Sequence, residues 1–210
     1  MEILRTDNLQ YINKIDYPDI SITEGQTVFI KGESGCGKSS LFKLLNITKS
    51  PSRGTIYYKD KTLESYDSID LRKEILLIGQ TSYLFDKNIR ENFDEFYKYR
   101  CQSLINEEEM KTYLKICCAD FPLDTDCSIL SGGEKQRVYL AIGISFATKV
   151  LLLDEPTSAL DEKIRDKVIT NIIKICKEKS ITLLIISHDE HLINNFGDKL
   201  IELTGGGINE

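Results

Sequence analysis

The chain has 210 residues, 41% of them hydrophobic and 29% charged, with a formal net charge of −6 at pH 7. This length suits one domain with a sizeable core, and the charges of both signs are spread along the sequence. We therefore expect a single domain, 1–210, and we exclude nucleic acid as a main partner because there is no basic face.

The cysteines and the N-terminus indicate the compartment. The six cysteines show no CxxC pair and no regular spacing, which is typical of reduced thiols. The opening MEILRTDNLQ lacks the apolar segment of a signal peptide, and no apolar run approaches the roughly 18 residues of a membrane span. We expect a cytosolic protein that would need another chain to supply any membrane part.

Predicted strands and helices alternate along the chain. TVFIKG at 27–32 predicts a strand, and the leucines at 41, 44 and 45 predict a helix after it. The apolar stripe within 162–179 predicts an amphipathic helix. Four further segments are typical of strands, the first exposed and the others buried: GTIYYKD (54–60), EILLIGQ (74–80), KVLLLDEP (149–156) and ITLLIISHD (181–189). This order favours an α/β sheet covered by helices on both faces.

A segment from about 82 to 140 interrupts the alternation. It is polar, aromatic and mostly helix-forming, and it contains the acidic run NEEEM at 106–110. We interpret it as a helical insert whose acidic run is a solvated helix face.

A phosphate-binding loop is indicated by GESGCGKS at 32–39, which matches G-x-x-x-x-G-K-[ST] between a strand and a helix. Its glycines allow backbone N–H groups to surround phosphate oxygens, and the helix N-terminus adds positive potential. Lys38 would reach the β and γ phosphates, and Ser39 would ligate Mg²⁺. A Gly-rich turn with a structural role is the alternative. The predicted binding residues are Gly32, Glu33, Ser34, Gly35, Cys36, Gly37, Lys38, Ser39 and Ser40.

Polar residues end three of the buried strands, where open α/β sheets bind ligands. Asp154 is placed to hold the Mg²⁺ shell, and Glu155 is the candidate general base for an attacking water, although both could be ordinary loop residues. His188 would contact the γ-phosphate and that water, or have a structural role. Gln80 could sense the metal or the water.

The stretch LSGGEKQR at 130–137 could be a capped helix start, with Ser131 as the N-cap and Glu134 as its partner. Its order with the phosphate loop, Gln80, LLLDEP, SALD (158–161) and SHD, however, resembles the nucleotide-binding subunit of ABC transporters. The resemblance covers nearly all of the chain. It implies a P-loop NTPase (RecA-like) core at about 1–80 and 146–210, a small antiparallel β subdomain, and a helical subdomain at about 81–145.

In that family two such domains pair head to tail, and each ATP lies between the phosphate loop of one and the signature of the other. The resemblance therefore implies that the ATP of the opposite subunit is contacted by Ser131, Gly132, Gly133 and Glu134. Asp161 matches the loop that crosses the dimer interface. Tyr11 would stack on adenine, with Tyr17 nearby as the alternative.

The resemblance also implies ATP and Mg²⁺ as cofactors, an ATP-dependent homodimer or a pseudo-dimer with a related cassette, and separate transmembrane subunits. The expected location is the cytoplasmic face of the membrane. Tyr83, Leu84 and Phe85 would form an apolar docking patch, or belong to the core. One departure is Ile142, where the family often has arginine.

Three functions are compatible with parts of this pattern. A transport ATPase explains every motif. A soluble ABC-type ATPase would predict fused cassettes, a coiled-coil insert or a basic patch, and a small-metabolite kinase would leave LSGGEKQR, SALD and SHD unexplained. The residues of these motifs are similar to those of the ATP-binding subunit of bacterial iron exporters. The sequence does not decide the cargo, the direction of transport or the identity of the membrane subunit.

Overall fold

The computed structural model describes residues 1–12 and 14–204. These form two compact units. The first contains 1–78, 147–155 and the described residues of 175–210, and the second contains 79–146 and 156–174. Residues 156–174, which the sequence analysis assigns to the core, thus group with the helical segment.

The strands and helices of the described residues are numbered here in chain order. The strands are β1 (Glu2–Tyr11), β2 (Ile15–Asp16), β3 (Ser21–Thr23), β4 (Thr27–Gly32), β5 (Arg53–Tyr58), β6 (Lys61–Thr62), β7 (Ile75–Ile78), β8 (Val150–Asp154), β9 (Thr182–Ile186) and β10 (Lys199–Leu203). The helices are α1 (Lys38–Leu45), α2 (Ser68–Glu74), α3 (Ile89–Tyr99), α4 (Glu107–Ile116), α5 (Gly132–Ser145), α6 (Glu162–Glu178) and α7 (Glu190–Phe196).

A parallel sheet with the strand order β10-β4-β9-β8-β7 forms the centre of the first unit. All residues of β8 and β9 are buried, as expected for parallel strands covered on both faces. Since the strands run in one direction, β4, β7, β8 and β9 end at the same edge. That edge holds the phosphate-binding loop, which follows β4.

Helix α1 packs against β4, β7 and β8. Its apolar residues Leu41, Phe42, Leu44 and Leu45 are at most 1% exposed, as their helical spacing predicts. The apolar face therefore holds the start of α1 against the sheet.

An antiparallel sheet completes the first unit. In it β1 pairs with β2, β3 and β5, and β5 pairs with β6. Gly54 has a φ of +84°, and a Cβ there would lie 2.3 Å from the carbonyl oxygen of Asn8. Only glycine fits this close approach of β5 to β1.

The second unit is mainly helical. Three of its helices, α3, α4 and α5, begin with capping boxes, formed by Asn88 with Glu91, Asn106 with Glu109, and Ser131 with Glu134. The carboxylates of residues 107–109 are exposed at the start of α4, where their negative charge stabilises the helix by interacting with its dipole. The prediction of a helical insert with a solvated acidic face is confirmed.

The helices of the described residues were compared with the thickness of a bilayer. Not one of them is both long enough and apolar enough to cross it.

Candidate functional site

The phosphate-binding loop connects the end of β4 to the start of α1. Gly35 and Gly37 have φ values of +83° and +98°, which are easily adopted only by glycine. Gly37 is the N-cap of α1 and provides no side-chain cap. The first N–H groups of α1 therefore have no capping side chain, which makes this helix start suitable for an anion.

Lys38 is 6% exposed, and its Nζ donates hydrogen bonds to the carbonyl oxygens of Gly32 and Glu33, both at 2.8 Å. The ammonium group is thus held across the loop by neutral acceptors. A phosphate is a stronger, charged acceptor. The arrangement positions the lysine to exchange a carbonyl for a phosphate oxygen.

Two side chains of the first unit carry oxygen atoms of the kind that bind a magnesium ion. The carboxylate of Asp154, at the end of β8, is on a residue that is 6% exposed, and Ser39 lies in the first turn of α1. Among the described residues neither side chain has a hydrogen-bond or ion-pair partner. A carboxylate and a hydroxyl are ligands that Mg²⁺ accepts.

Glu155 and His188 approach each other beyond the ends of β8 and β9. His188 Nε2 lies 3.7 Å from Glu155 Oε1. Glu155 has a φ of +47°, a conformation that costs energy in a residue other than glycine and is concentrated at functional sites. The sequence-predicted base and histidine are therefore neighbours at the edge of the sheet.

An open cleft of about 650 Å³ lies beside the start of the phosphate-binding loop. It is lined by Lys31, Gly32, Glu33, His188, Glu202, Leu203 and Thr204. Lys31 and the β10 residues Glu202 and Leu203 belong to no sequence motif, so the sequence does not predict their place in this cleft.

The two tyrosines considered for adenine differ in exposure. Tyr17 is 6% exposed, and its hydroxyl donates to the carbonyl oxygen of Gly37 at 3.0 Å. Tyr11 is partly exposed at the end of β1, with Lys49 Nζ 4.6 Å from its ring centroid. Of the two, Tyr11 is the more exposed.

The signature stretch forms the start of α5 in the second unit. The backbone N–H and the hydroxyl of Ser131 both donate to Glu134 Oε2, at 2.8 and 2.7 Å. These bonds lower the pKa of Glu134, so its carboxylate is charged at neutral pH. The opening of α5 is therefore a capping box, as the simpler interpretation of the sequence holds.

The SALD segment packs beside this helix start. Gln136 Oε1 accepts a hydrogen bond from the backbone of Ala159 at 3.2 Å, and a Cβ at Gly133 would lie 3.1 Å from the Ala159 carbonyl. Asp161 is exposed and accepts from the backbone of Ile164 at 3.1 Å, at the start of α6. The signature and SALD thus form one local cluster.

Gln80 is also exposed in the second unit, two residues after β7 ends. The segment after it and helix α3 together carry an aromatic patch, defined here as Tyr83, Phe85, Phe96 and Tyr99. Phe85 lies within 5.9 Å of the other three rings, measured between centroids. Tyr83 and Tyr99 are 59% and 74% exposed, whereas Leu84 and Phe85 are half-buried.

Comparison with known proteins identifies the family. Residues 15–158 match the model of the ABC transporter family. The chain is 32% identical over 208 residues to the probable iron export ATP-binding protein FetA of Escherichia coli (strain K12), covering 96% of this chain and 91% of that protein. It is 29% identical to the methionine import ATP-binding protein MetN of Staphylococcus saprophyticus subsp. saprophyticus, of whose length it spans 60%.

Solved structures agree on the fold. A bacterial Atm1-family ABC exporter with ATP bound superposes with a TM-score of 0.85 at 24% identity, over 100% of this chain and 38% of that one. A dimeric bacterial ABC transporter cassette superposes with a TM-score of 0.83 at 24% identity, over 99% and 97%. The predicted P-loop NTPase fold of an ABC cassette is confirmed.

The chain belongs to the ABC transporter family, and it is an ATP-binding, ATP-hydrolysing subunit of such a transporter.

Proposed function

We propose that two copies of this chain, or one copy and a related cassette, close head to tail on two ATP molecules, and that hydrolysis powers separate membrane subunits. Each ATP would lie between the phosphate-binding loop of one copy and Ser131, Gly132 and Gly133 of the other. Asp161 would cross the interface, and Tyr11 would stack on adenine.

The open space around Gly132 is the observation that carries this proposal. It is exposed, and a Cβ placed on it would meet no described atom within 4 Å. The packing of this chain therefore does not require glycine there, unlike at Gly133. An interacting phosphate from another copy would require it, because the missing Cβ allows close approach to the backbone.

The chemistry proposed for each site uses the residues described above. Ser39, Asp154 and Gln80 would hold Mg²⁺, which would neutralise charge on the phosphates. Lys38 would bind the β and γ phosphates. Glu155 would accept a proton from the attacking water, and His188, 3.7 Å away, would orient the γ-phosphate and the water.

The membrane-facing surface is proposed to be the aromatic patch, with the chain on the cytoplasmic side. Two exposed tyrosines beside a half-buried phenylalanine suit an apolar helix end of a membrane subunit. Replacing Tyr83 and Tyr99 with serine should reduce co-purification with that subunit from detergent-solubilised membranes while leaving ATP-dependent dimers intact. Unchanged co-purification would remove the patch from the interface.

Two variants test the ATP sites. Glu155→Gln should bind ATP, hydrolyse it at least 100-fold more slowly, and accumulate as an ATP-bound dimer on gel filtration. Ser131→Arg should abolish hydrolysis but leave nucleotide binding by the monomer unchanged. The matched control is Ser103→Arg, which adds the same bulk at an exposed position between α3 and α4. Ordinary turnover in Glu155→Gln, or lost monomer binding in Ser131→Arg, would contradict the proposal.

Iron export is the transport activity proposed for the first test of cargo. The chain covers 91% of a relative named for iron export and 60% of one named for methionine import. Cells lacking this chain should retain more iron after iron loading, and the wild-type chain, unlike Lys38→Ala, should restore the lower level. Equal iron content with and without the chain would reject this cargo.

A further inference from the structure

Tyr17 connects the antiparallel sheet to the phosphate-binding loop. Its backbone N–H donates to the carbonyl oxygen of Leu9 in β1 at 2.9 Å, and its side-chain hydroxyl donates to the carbonyl oxygen of Gly37 at 3.0 Å. The residue is 6% exposed. Both ends of the tyrosine are therefore fixed.

The carbonyl that Tyr17 contacts belongs to the glycine at which α1 begins. Gly37 has a φ of +98° and no side chain to cap α1. Its carbonyl oxygen also accepts the first hydrogen bond of α1, from the N–H of Leu41 at 2.8 Å. Two donors thus converge on one oxygen and fix the direction of that carbonyl.

Packing around the glycine restricts it further. A Cβ at Gly37 would lie 2.8 Å from the Tyr17 hydroxyl oxygen and 3.1 Å from the side chain of Ile15. Tyr17 and Ile15 therefore fill the space behind the loop and leave no room for the glycine to move toward them.

Fixing this carbonyl also fixes an N–H group on the opposite side. The peptide between Gly37 and Lys38 is planar and trans, so its C=O and N–H point in opposite directions. The N–H of Lys38 is among the first of α1, which have no intrahelical acceptor. Because this carbonyl is held by Tyr17 and by the N–H of Leu41, the Lys38 N–H points away from Tyr17 and from the body of α1.

We propose that Tyr17 is a positioning residue for ATP: its hydroxyl holds the Gly37–Lys38 peptide so that the Lys38 N–H is already oriented toward a phosphate. The inference rests on the proposed function, in which the loop 32–39 binds the phosphates of ATP. A loop that is already oriented loses less conformational freedom on binding, which increases affinity.

The hydroxyl is suited to this role because it stays protonated. Burial is the main cause that raises the pKa of Tyr17, with smaller contributions from Cys36 and Tyr11. The hydroxyl therefore remains a donor throughout the physiological pH range.

The test compares Tyr17→Phe with Tyr58→Phe. Tyr58 is also buried in the first unit, and its hydroxyl donates to Glu74 Oε2 at 2.6 Å. Each variant thus removes one phenolic hydrogen bond, but only Tyr17 contacts the loop. Binding of a fluorescent N-methylanthraniloyl ATP would be measured with the full-length monomer, together with kcat, KM and the melting temperature.

Tyr17→Phe should raise Kd and KM roughly three- to tenfold, the range for one lost hydrogen bond, with kcat at saturating ATP unchanged. Tyr58→Phe should lower the melting temperature at least as much but leave Kd unchanged. The inference is overturned if Tyr17→Phe binds like the wild type, or if both variants lose affinity in parallel with stability.

These outcomes differ from failure of the proposed function. If the wild-type chain did not bind the nucleotide, or if Lys38→Ala bound it equally well, the loop would not be the nucleotide site at all. Wild-type binding that depends on Lys38 but not on Tyr17 would reject this inference alone.

Discussion

Asn92 in α3 should be essential for the stability of the second unit. It is completely buried. Its Oδ1 accepts the backbone N–H of Phe85 at 2.8 Å, and its Nδ2 donates to the carbonyl oxygens of Phe85, Lys87 and Asn88 at 2.9–3.2 Å. One side chain thus fixes the segment that carries part of the aromatic patch.

The cost of Asn92→Ala follows from what each partner retains. All three carbonyls keep another donor, because they accept the backbone N–H groups of Lys87, Cys127 and Asn92 itself. The N–H of Phe85 loses its only acceptor among the described residues. One unsatisfied donor and three weakened acceptors should together lower the free energy of unfolding by about 2–4 kcal/mol.

Asn92→Asp gives a sharper result because it retains the acceptor but directs a carboxylate at three carbonyl oxygens. Burial and these acceptors should raise the pKa of the new carboxyl above its value of about 3.9 in the unfolded chain. The folded state then binds the proton more tightly, so the variant should gain stability relative to the wild type as pH falls through the raised pKa.

Urea denaturation followed by circular dichroism would measure both variants from pH 4 to pH 8. Asn92→Ala should lose a similar amount of stability at every pH, whereas Asn92→Asp should be the less stable of the two at pH 7. A loss below about 1 kcal/mol for alanine, or an aspartate variant as stable as the wild type at pH 7, would refute the reasoning.

Three further predictions concern Glu74, Gly54 and Glu134. The hydrogen bond from Lys59 is the main cause that lowers the pKa of Glu74 from 4.5, so Glu74→Gln should be less stable than the wild type at pH 7. In acid denaturation the difference in stability between the two proteins should shrink below pH 4.5, where the wild-type carboxylate takes up its proton. A difference that stays constant with pH would contradict this. Gly54→Ala should lower the free energy of unfolding by more than about 2 kcal/mol, because its Cβ would lie 2.3 Å from a backbone oxygen of β1. Thermal unfolding would measure this, and a melting temperature within about 2 °C of the wild type would show that β5 can move away from β1 without loss of stability. In a Glu155→Gln background, adding Glu134→Gln should allow dimers to form on gel filtration at lower ATP concentrations than Glu155→Gln alone requires. The second change removes a negative charge beside the expected phosphate, and glutamine holds Ser131 less strongly than a carboxylate does. A requirement for more ATP would show that the Glu134 carboxylate assists dimer closure.

The sequence predicts β4, β7, β8 and β9 of the parallel sheet because these four strands are continuous apolar runs. The predicted strand at 27–32 has the same bounds as β4, and the predicted helix at 162–179 agrees with α6 to within one residue. The buried residues of α6 recur at helical spacing, as an amphipathic helix requires: Val168, Ile169, Ile172, Ile173 and Cys176.

Elements with mixed polarity are harder to predict. Strand β1 contains Arg5, Asp7 and Asn8 among its apolar residues, so the sequence pattern does not predict its ten residues as a strand. Pairing with β5, far along the chain, decides its structure. Such pairing depends on the tertiary fold, so local patterns give little indication of it.

The site residues are predictable where backbone chemistry requires a particular residue type. The phosphate-binding loop needs glycines at positive φ, and Gly35 and Gly37 have that geometry. Tyr17 and Asn92 carry no motif, because their roles depend on which backbone groups the fold brings beside them. Only the structure reveals these supporting contacts.

The central claim is that each ATP site combines residues from two copies of the chain. It is tested most directly by mixing two inactive variants. Lys38→Ala would disable the phosphate-binding loop, and Ser131→Arg would disable the signature. In a head-to-tail dimer of the two, one site combines the intact loop of one copy with the intact signature of the other. ATPase activity should therefore appear on mixing and rise toward half of the wild-type rate per mixed dimer. If each copy used its own loop and signature, the mixture would stay as inactive as its components.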